Sequence, residues 1–108
     1  MSNLNRVMQL LEFLEEDPDN PFNVYALALE YQNVDPDKAS YYFGQLLKFH
    51  QDYLPTYSQA ATFYAGQGNL EKARGIYQAG IALAQKDQAR HTLKELENAY
   101  QNFLFENE

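Results

Sequence analysis

The sequence predicts an all-α fold: an α–α superhelix of antiparallel helix pairs. Three observations point there. Apolar residues recur at steps of three and four almost everywhere, and no stretch alternates at the strand period for long. Clusters rich in Pro, Gly, Asp and Asn interrupt that pattern at short intervals, as turns between helices do. The second half also echoes the first: Tyr31 to Tyr64 is 33 positions, Ala39 to Ala73 is 34 and Phe43 to Tyr77 is 34.

Each helix can be justified in order. Val7, Leu10, Leu11 and Leu14 mark a first helix, closed by DPDNP. Pro21 stands near the start of the second, where its missing N–H costs little. That helix presents Val24, Leu27, Ala28 and Tyr31 on one face. NVDPD is a turn, and a third helix follows with Ala39, Phe43, Leu46, Leu47 and His50 in line. Pro55 opens a fourth, bearing Tyr57, Ala60, Ala61 and Tyr64. A fifth carries Ala73, Ile76, Tyr77, Gly80, Ile81 and Ala84. The last stripe is Ala89, Leu93, Leu96, Tyr100 and Phe103.

Composition narrows the function classes. With 108 residues and 45% hydrophobic content, the chain suits one domain of modest core rather than a disordered segment. Fifteen acids against eight bases leave a charge of −7, which argues against nucleic acid or an anionic membrane as partner. The acid is concentrated: residues 1–37 hold eight acids and only Arg6 as a base, whereas residues 38–108 balance. That asymmetry suits either a solvated acidic face or the steering of a basic partner. There is no cysteine, hence no disulfide or thiolate chemistry. No apolar run approaches the roughly 20 residues of a membrane span, and the N-terminus lacks a signal-peptide pattern, so a cytoplasmic location is expected.

Within the helical echo, Tyr57-x2-Ala60-Ala61-x2-Tyr64 is followed by Ala73-x3-Tyr77. Val24-x2-Leu27-Ala28-x2-Tyr31, followed by Ala39-x3-Phe43, is a second copy. This resembles the tetratricopeptide repeat, whose period is about 34 residues and whose pattern runs W-x2-L-G-x2-Y, A-x3-F, P. Leu10 and Pro18 match the end of a preceding repeat. The resemblance divides a single domain, 1–108, into a half-repeat helix (4–20), repeat 1 (21–53), repeat 2 (54–87) and a capping helix (88–105). The chain departs from the pattern in having no tryptophan-like residue at Val24 and no closing proline after each full repeat.

The stretch YAGQGNLEKARG tests whether the chain binds phosphate. A dinucleotide fingerprint needs a preceding strand and a third glycine, where Leu70 and Glu71 stand instead. A phosphate loop needs a Gly-Lys-Ser/Thr ending, which is missing. Glu71, in the first turn of the following helix, repels an anion there. Gly68 is therefore expected to be the bend between two helices, with a positive φ. Gly80 is expected where two helices approach closely, so that leucine there overpacks the contact while alanine is far milder.

His91 and Glu95 lie one helical turn apart, an incomplete set for zinc, which takes about three protein ligands in catalytic sites. A surface contact is the simpler reading, and a metal-dependent enzyme using His91 is the weakest of three function classes. No cofactor is expected. The leading class is a non-catalytic protein–protein interaction module. In tetratricopeptide proteins the first helix of each pair lines a concave groove that receives a peptide or helix. The resemblance places Phe22, Tyr25, Leu29 and Gln32 on that face, with Ser58, Gln59 and Thr62 on the next. The opposing possibility is that Phe22 and Tyr25 pack on the N-terminal helix and leave no groove. The resemblance offers no basic cluster for clamping an acidic chaperone tail, because Tyr25, Leu29, Gln59 and Thr62 occupy the needed positions. The second class is a self-associating structural homodimer that uses Tyr41, Gln45 and Phe105.

Overall fold

Prolines and capping side chains set where the helices begin. The computed structural model describes residues 2–107, and side-chain burial from Leu4 onward. Six helices follow in chain order: α1 (Ser2–Glu16), α2 (Pro21–Tyr31), α3 (Pro36–Phe49), α4 (Pro55–Gly66), α5 (Leu70–Lys86) and α6 (Arg90–Glu106). Pro21, Pro36 and Pro55 each occupy the first helical turn, where a proline ring is pre-set for helix. The Asn20, Asp35 and Asn69 side chains accept the N–H groups of Phe22, Lys38 and Lys72 at 3.0, 3.3 and 3.4 Å. Each cap satisfies a donor that the helix itself leaves without a partner.

The chain divides into two compact units, Met1–Tyr53 and Leu54–Glu108. In the first, α1 and α3 both pack on α2; in the second, α4 and α6 both pack on α5. Neighbouring helices thus form antiparallel hairpins, the arrangement expected of an all-α helical repeat. The stripes read from the sequence supply the cores. Leu10, Val24, Leu27, Ala28, Tyr31, Ala39, Phe43 and Leu46 are buried in the first unit. Tyr57, Ala60, Ala61, Tyr64, Ala73, Ile76, Tyr77, Ala84, Leu96 and Phe103 are buried in the second. Leu11 departs from its expected place: it lies at the edge of the α1 stripe and is exposed.

The helix-joining turns explain the one-residue difference between the copies. Asp35 N–H reaches the Tyr31 carbonyl, four residues back, at 2.8 Å. In the second unit Asn69 N–H bonds Tyr64 O, five residues back, at 2.9 Å, and Gly68 N–H bonds Ala65 O at 3.0 Å. That pair of bonds is a Schellman ending, which needs one residue in the left-handed region. Gly68 supplies it with φ +83°, so the extra residue of the second copy is the turn glycine itself. The α5–α6 turn repeats the motif, with Ala89 N–H on Ala84 O at 2.9 Å and Gln88 N–H on Gln85 O at 3.2 Å. Here the left-handed residue is Gln88, φ 56°, a position that any side chain strains.

Gly80 is a close-approach position, but its tolerance of alanine is not what the sequence suggests. A β-carbon there falls 2.6 Å from Tyr57 Cβ, 3.0 Å from Tyr57 Cγ and 3.4 Å from Leu96 Cδ1. Tyr57 Cβ sits at the root of a buried side chain, so relief requires α4 and α5 to move apart. Even one methyl overpacks this contact, and alanine is not mild. At Gly44 and Gly75, beyond the chain neighbours and the local helix backbone, no atom of the described residues comes within 4 Å of such a carbon.

Candidate binding faces

Phe22, Tyr25, Leu29 and Gln32 succeed one another at steps of three, four and three, which puts them on one side of the α2 axis. The opposite side, with Val24, Leu27, Ala28 and Tyr31, faces the core. Phe22 is 56% exposed; Tyr25, Leu29 and Gln32 are partly buried. Tyr25 does not stand alone. The ring of Tyr53, which ends the first unit, meets it edge-on with centroids 5.7 Å apart and planes at 67°. Burial, and secondarily the neighbouring Tyr53 hydroxyl, pushes the Tyr25 pKa up; burial does the same for Tyr53. Both phenols stay neutral and available as hydrogen-bond donors well above neutral pH. Phe22 thus shares a side of α2 with Tyr25, and Tyr53 extends that side through its edge-on contact with Tyr25.

Asn23 anchors the start of this helix. Its buried amide donates to the carbonyls of Phe13 and Asp17, both at 3.3 Å, and so caps the end of α1 from the first turn of α2. Arg6 adds a pair to Glu30, with Nε 2.6 Å from Oε1. The α1–α2 hairpin is therefore fastened by Asn23 at the turn that carries Phe22 and by the Arg6–Glu30 pair at its other end.

In the second unit Ser58 and Thr62 are exposed and Gln59 is partly buried. The Thr62 hydroxyl donates to the Ser58 carbonyl at 3.0 Å, which uses its one donor and leaves its acceptor lone pairs. Thr62 lines a hollow of about 510 Å³ between α4 and α6, with Tyr77 at its floor and Ala99, Asn102, Phe103 and Glu106 along its far wall. Helix α6 thus contributes one wall of the hollow. The sequence held that signal, since positions 99, 102, 103 and 106 recur at helical spacing beside the Leu96–Phe103 stripe.

Tyr53 is the residue that sequence reasoning missed on the α2 face. It lies in no helix and belongs to no periodic stripe, so nothing local pairs it with Tyr25. The other candidate chemistry is confined to the surface: His91 Nε2 lies 3.3 Å from the Glu95 carboxylate, both side chains largely exposed. Among the described residues no group of three His, Cys, Asp or Glu side chains is gathered that could hold a metal ion. No helix among them is long and apolar enough to cross a membrane. In comparisons with known proteins, no family model, no curated protein and no solved structure matches this chain.

Proposed function

We propose that this chain is a non-catalytic protein–protein interaction module of the tetratricopeptide kind, acting in the cytoplasm and binding a peptide or helix of a partner protein. The reading draws on two pattern copies in register and on helices paired as hairpins. The observation that carries it is the α2 face. A phenylalanine more than half exposed sits beside two edge-packed tyrosines on a turn fastened by Asn23. Aromatic side chains held at low conformational cost, with a hydroxyl to offer, are the residues that dominate binding energy at protein interfaces. Leu29 and Gln32 extend this face along α2, while Ser58, Gln59 and Thr62 offer a polar surface on α4.

The test is comparative capture from native cytosol, read by mass spectrometry, with the parent chain, Phe22→Ala and Tyr25→Ala. Proteins held by the parent should be lost from both variants, with Tyr25→Ala weakening binding by about 2 kcal/mol, roughly thirtyfold. Phe22 is exposed, so its removal should leave the melting temperature unchanged and separate a binding defect from a folding one. Capture that ignores both substitutions would reject the α2 face. The rival reading, a homodimer through Tyr41, Gln45 and Phe105, draws on the exposure of Tyr41 and Phe105. Light scattering at twice the chain mass would favour it.

A further inference from the structure

The first unit carries a second apolar surface, built by α1, α3 and the side of α2 opposite the Phe22–Tyr25 face. Because α1 and α3 each pack on α2 rather than on one another, a channel runs between them with α2 as its floor. A hollow opens at each end. One, of about 500 Å³, is lined by Leu4 and Val7 of α1, by Tyr31 and Val34, and by Lys38 at the start of α3. The other, of about 440 Å³, is lined by Leu14, Val24, Tyr41, Tyr42 and Phe49. Tyr31 and Tyr42 stack with centroids 5.9 Å apart and planes within 3°, one ring in each hollow, and so join the two. Leu4, Val34, Tyr41 and Phe49 are all more than half exposed, as is Met8 on the α1 side. From Leu4 to Leu14 is ten residues of helix, about 15 Å, the length of roughly three helical turns.

The charge around this channel selects its occupant. Glu12 and Glu15 project from α1 beside Met8 and Leu11; Asp37 stands one turn before Tyr41, and Asp19 lines the second hollow. None of these four is in an ion pair among the described residues, whereas Glu30 and Asp35 in the first hollow are matched by Arg6 and Lys38. The whole unit holds nine acids against three bases, a net of −6. A second copy would bring the same acids together. We infer that the α1–α3 channel docks a cationic amphipathic helix of a partner protein, about three turns long, with apolar residues at i, i+3 or i+4, and i+7, and Lys or Arg along their flanks. This inference does not rest on the α2 face and stands or falls separately.

The probe is a fluorescein-labelled 14-residue Leu/Lys amphipathic helix, compared with a Leu/Glu peptide that keeps the same apolar positions. Anisotropy titrations of the intact chain should show the Leu/Lys peptide bound and the Leu/Glu peptide not. Affinity should fall as salt rises, because the flanking charges are solvent-exposed. Amide shifts in the ¹⁵N-labelled chain should concentrate at Leu4, Leu11, Tyr41 and Phe49. Tyr41→Lys should weaken binding at least tenfold and Phe22→Ala should leave it unchanged. Tyr41 is exposed, and Phe49→Lys serves in its place if Tyr41→Lys does not melt like the parent. Equal binding of the two peptides, no binding of either, shifts confined to the second unit, or indifference to both channel variants would overturn the inference. So would a dimer by light scattering that Tyr41→Lys converts to monomer, since a second copy would then fill the channel.

Discussion

The two units are built from the same kind of helical hairpin and put their apolar residues to different uses. Of the ten large apolar side chains that stand exposed among the described residues, eight belong to the first unit and only Leu70 and Phe105 to the second. The first unit carries nine acids and three bases, the second six and five. In the second unit a ring cluster ties α5 to α6. Tyr77 lies 5.5 Å from Tyr100 and 5.4 Å from Phe103 between ring centroids, and Gln78 donates to the Tyr100 hydroxyl at 2.9 Å. Gly80 lets Tyr57 come in closer than any side chain allows. One unit displays apolar surface within an acidic field; the other is knitted together. Packing variants should therefore act most strongly in the second unit, and binding variants in the first.

The largest stability effect should come from Gly80. Gly80→Ala should destabilise by about 1–3 kcal/mol through overpacking against Tyr57, and Gly80→Leu by at least as much. Urea denaturation followed by circular dichroism measures both. An alanine variant as stable as the parent would show that Tyr57 can yield and that the contact is loose.

Next in size is a pair of equivalent positions, since Asn23 in the first copy corresponds in register to Thr56 in the second. Asn23 is buried and donates twice; the Thr56 hydroxyl is fully buried and has no hydrogen-bond partner among the described residues. Removing a buried donor that serves two carbonyls should cost about 1–3 kcal/mol in Asn23→Ala. Thr56→Val, which keeps the shape and deletes an unsatisfied group, should be neutral or stabilising. A loss at Thr56 equal to that at Asn23 would mean that the hydroxyl is bonded in solution, and the contrast between the units would disappear.

The turns give the smallest effects. Gln88→Gly should stabilise by up to about 1 kcal/mol, because the left-handed conformation penalises a side chain by roughly 1–2 kcal/mol and glycine returns part of that gain in unfolded-state entropy. Gly68→Ala should destabilise by a similar amount. Gly75→Ala, in the exposed middle of α5 with open space around it, should stabilise by about 0.5–1 kcal/mol. Opposite signs at Gly68 and Gly75 would separate a glycine required by the backbone from one that is not.

The features legible in the sequence were those whose cause is local. Helix starts at Pro21 and Pro55 follow from the ring, the core stripes from helical spacing, and the positive φ of Gly68 from its place in a two-helix turn, whereas Pro36, expected within the NVDPD turn, opens α3 itself. The features that escaped reading depend on a distant partner. Asn23 looks like an ordinary polar residue until the carbonyls of Phe13 and Asp17 are brought beside it. Gln88 bears no mark of the left-handed region, which its turn imposes. Gly80 could be assigned to a close approach from its repeat position, but the cost of alanine is set by the distance to Tyr57 Cβ on another helix. On the α2 face, Phe22, Tyr25, Leu29 and Gln32 share a side by periodicity alone, while Tyr53 joins them only through the path of the chain after α3.

Whether the first unit is where the chain meets a partner protein can be read by site-specific photocrosslinking. Phe22 and Tyr41 in the first unit and Leu70 and Phe105 in the second would each be replaced, one at a time, by p-benzoylphenylalanine, and the chain irradiated in native cytosol. All four positions are exposed, so reactivity reports proximity to a partner rather than access. Discrete adducts are expected from Phe22, from Tyr41 or from both, at masses set by other proteins, and none from Leu70 or Phe105. Adducts from the second unit alone, or a single product near 25 kDa, twice the 12.5 kDa chain, would contradict that expectation.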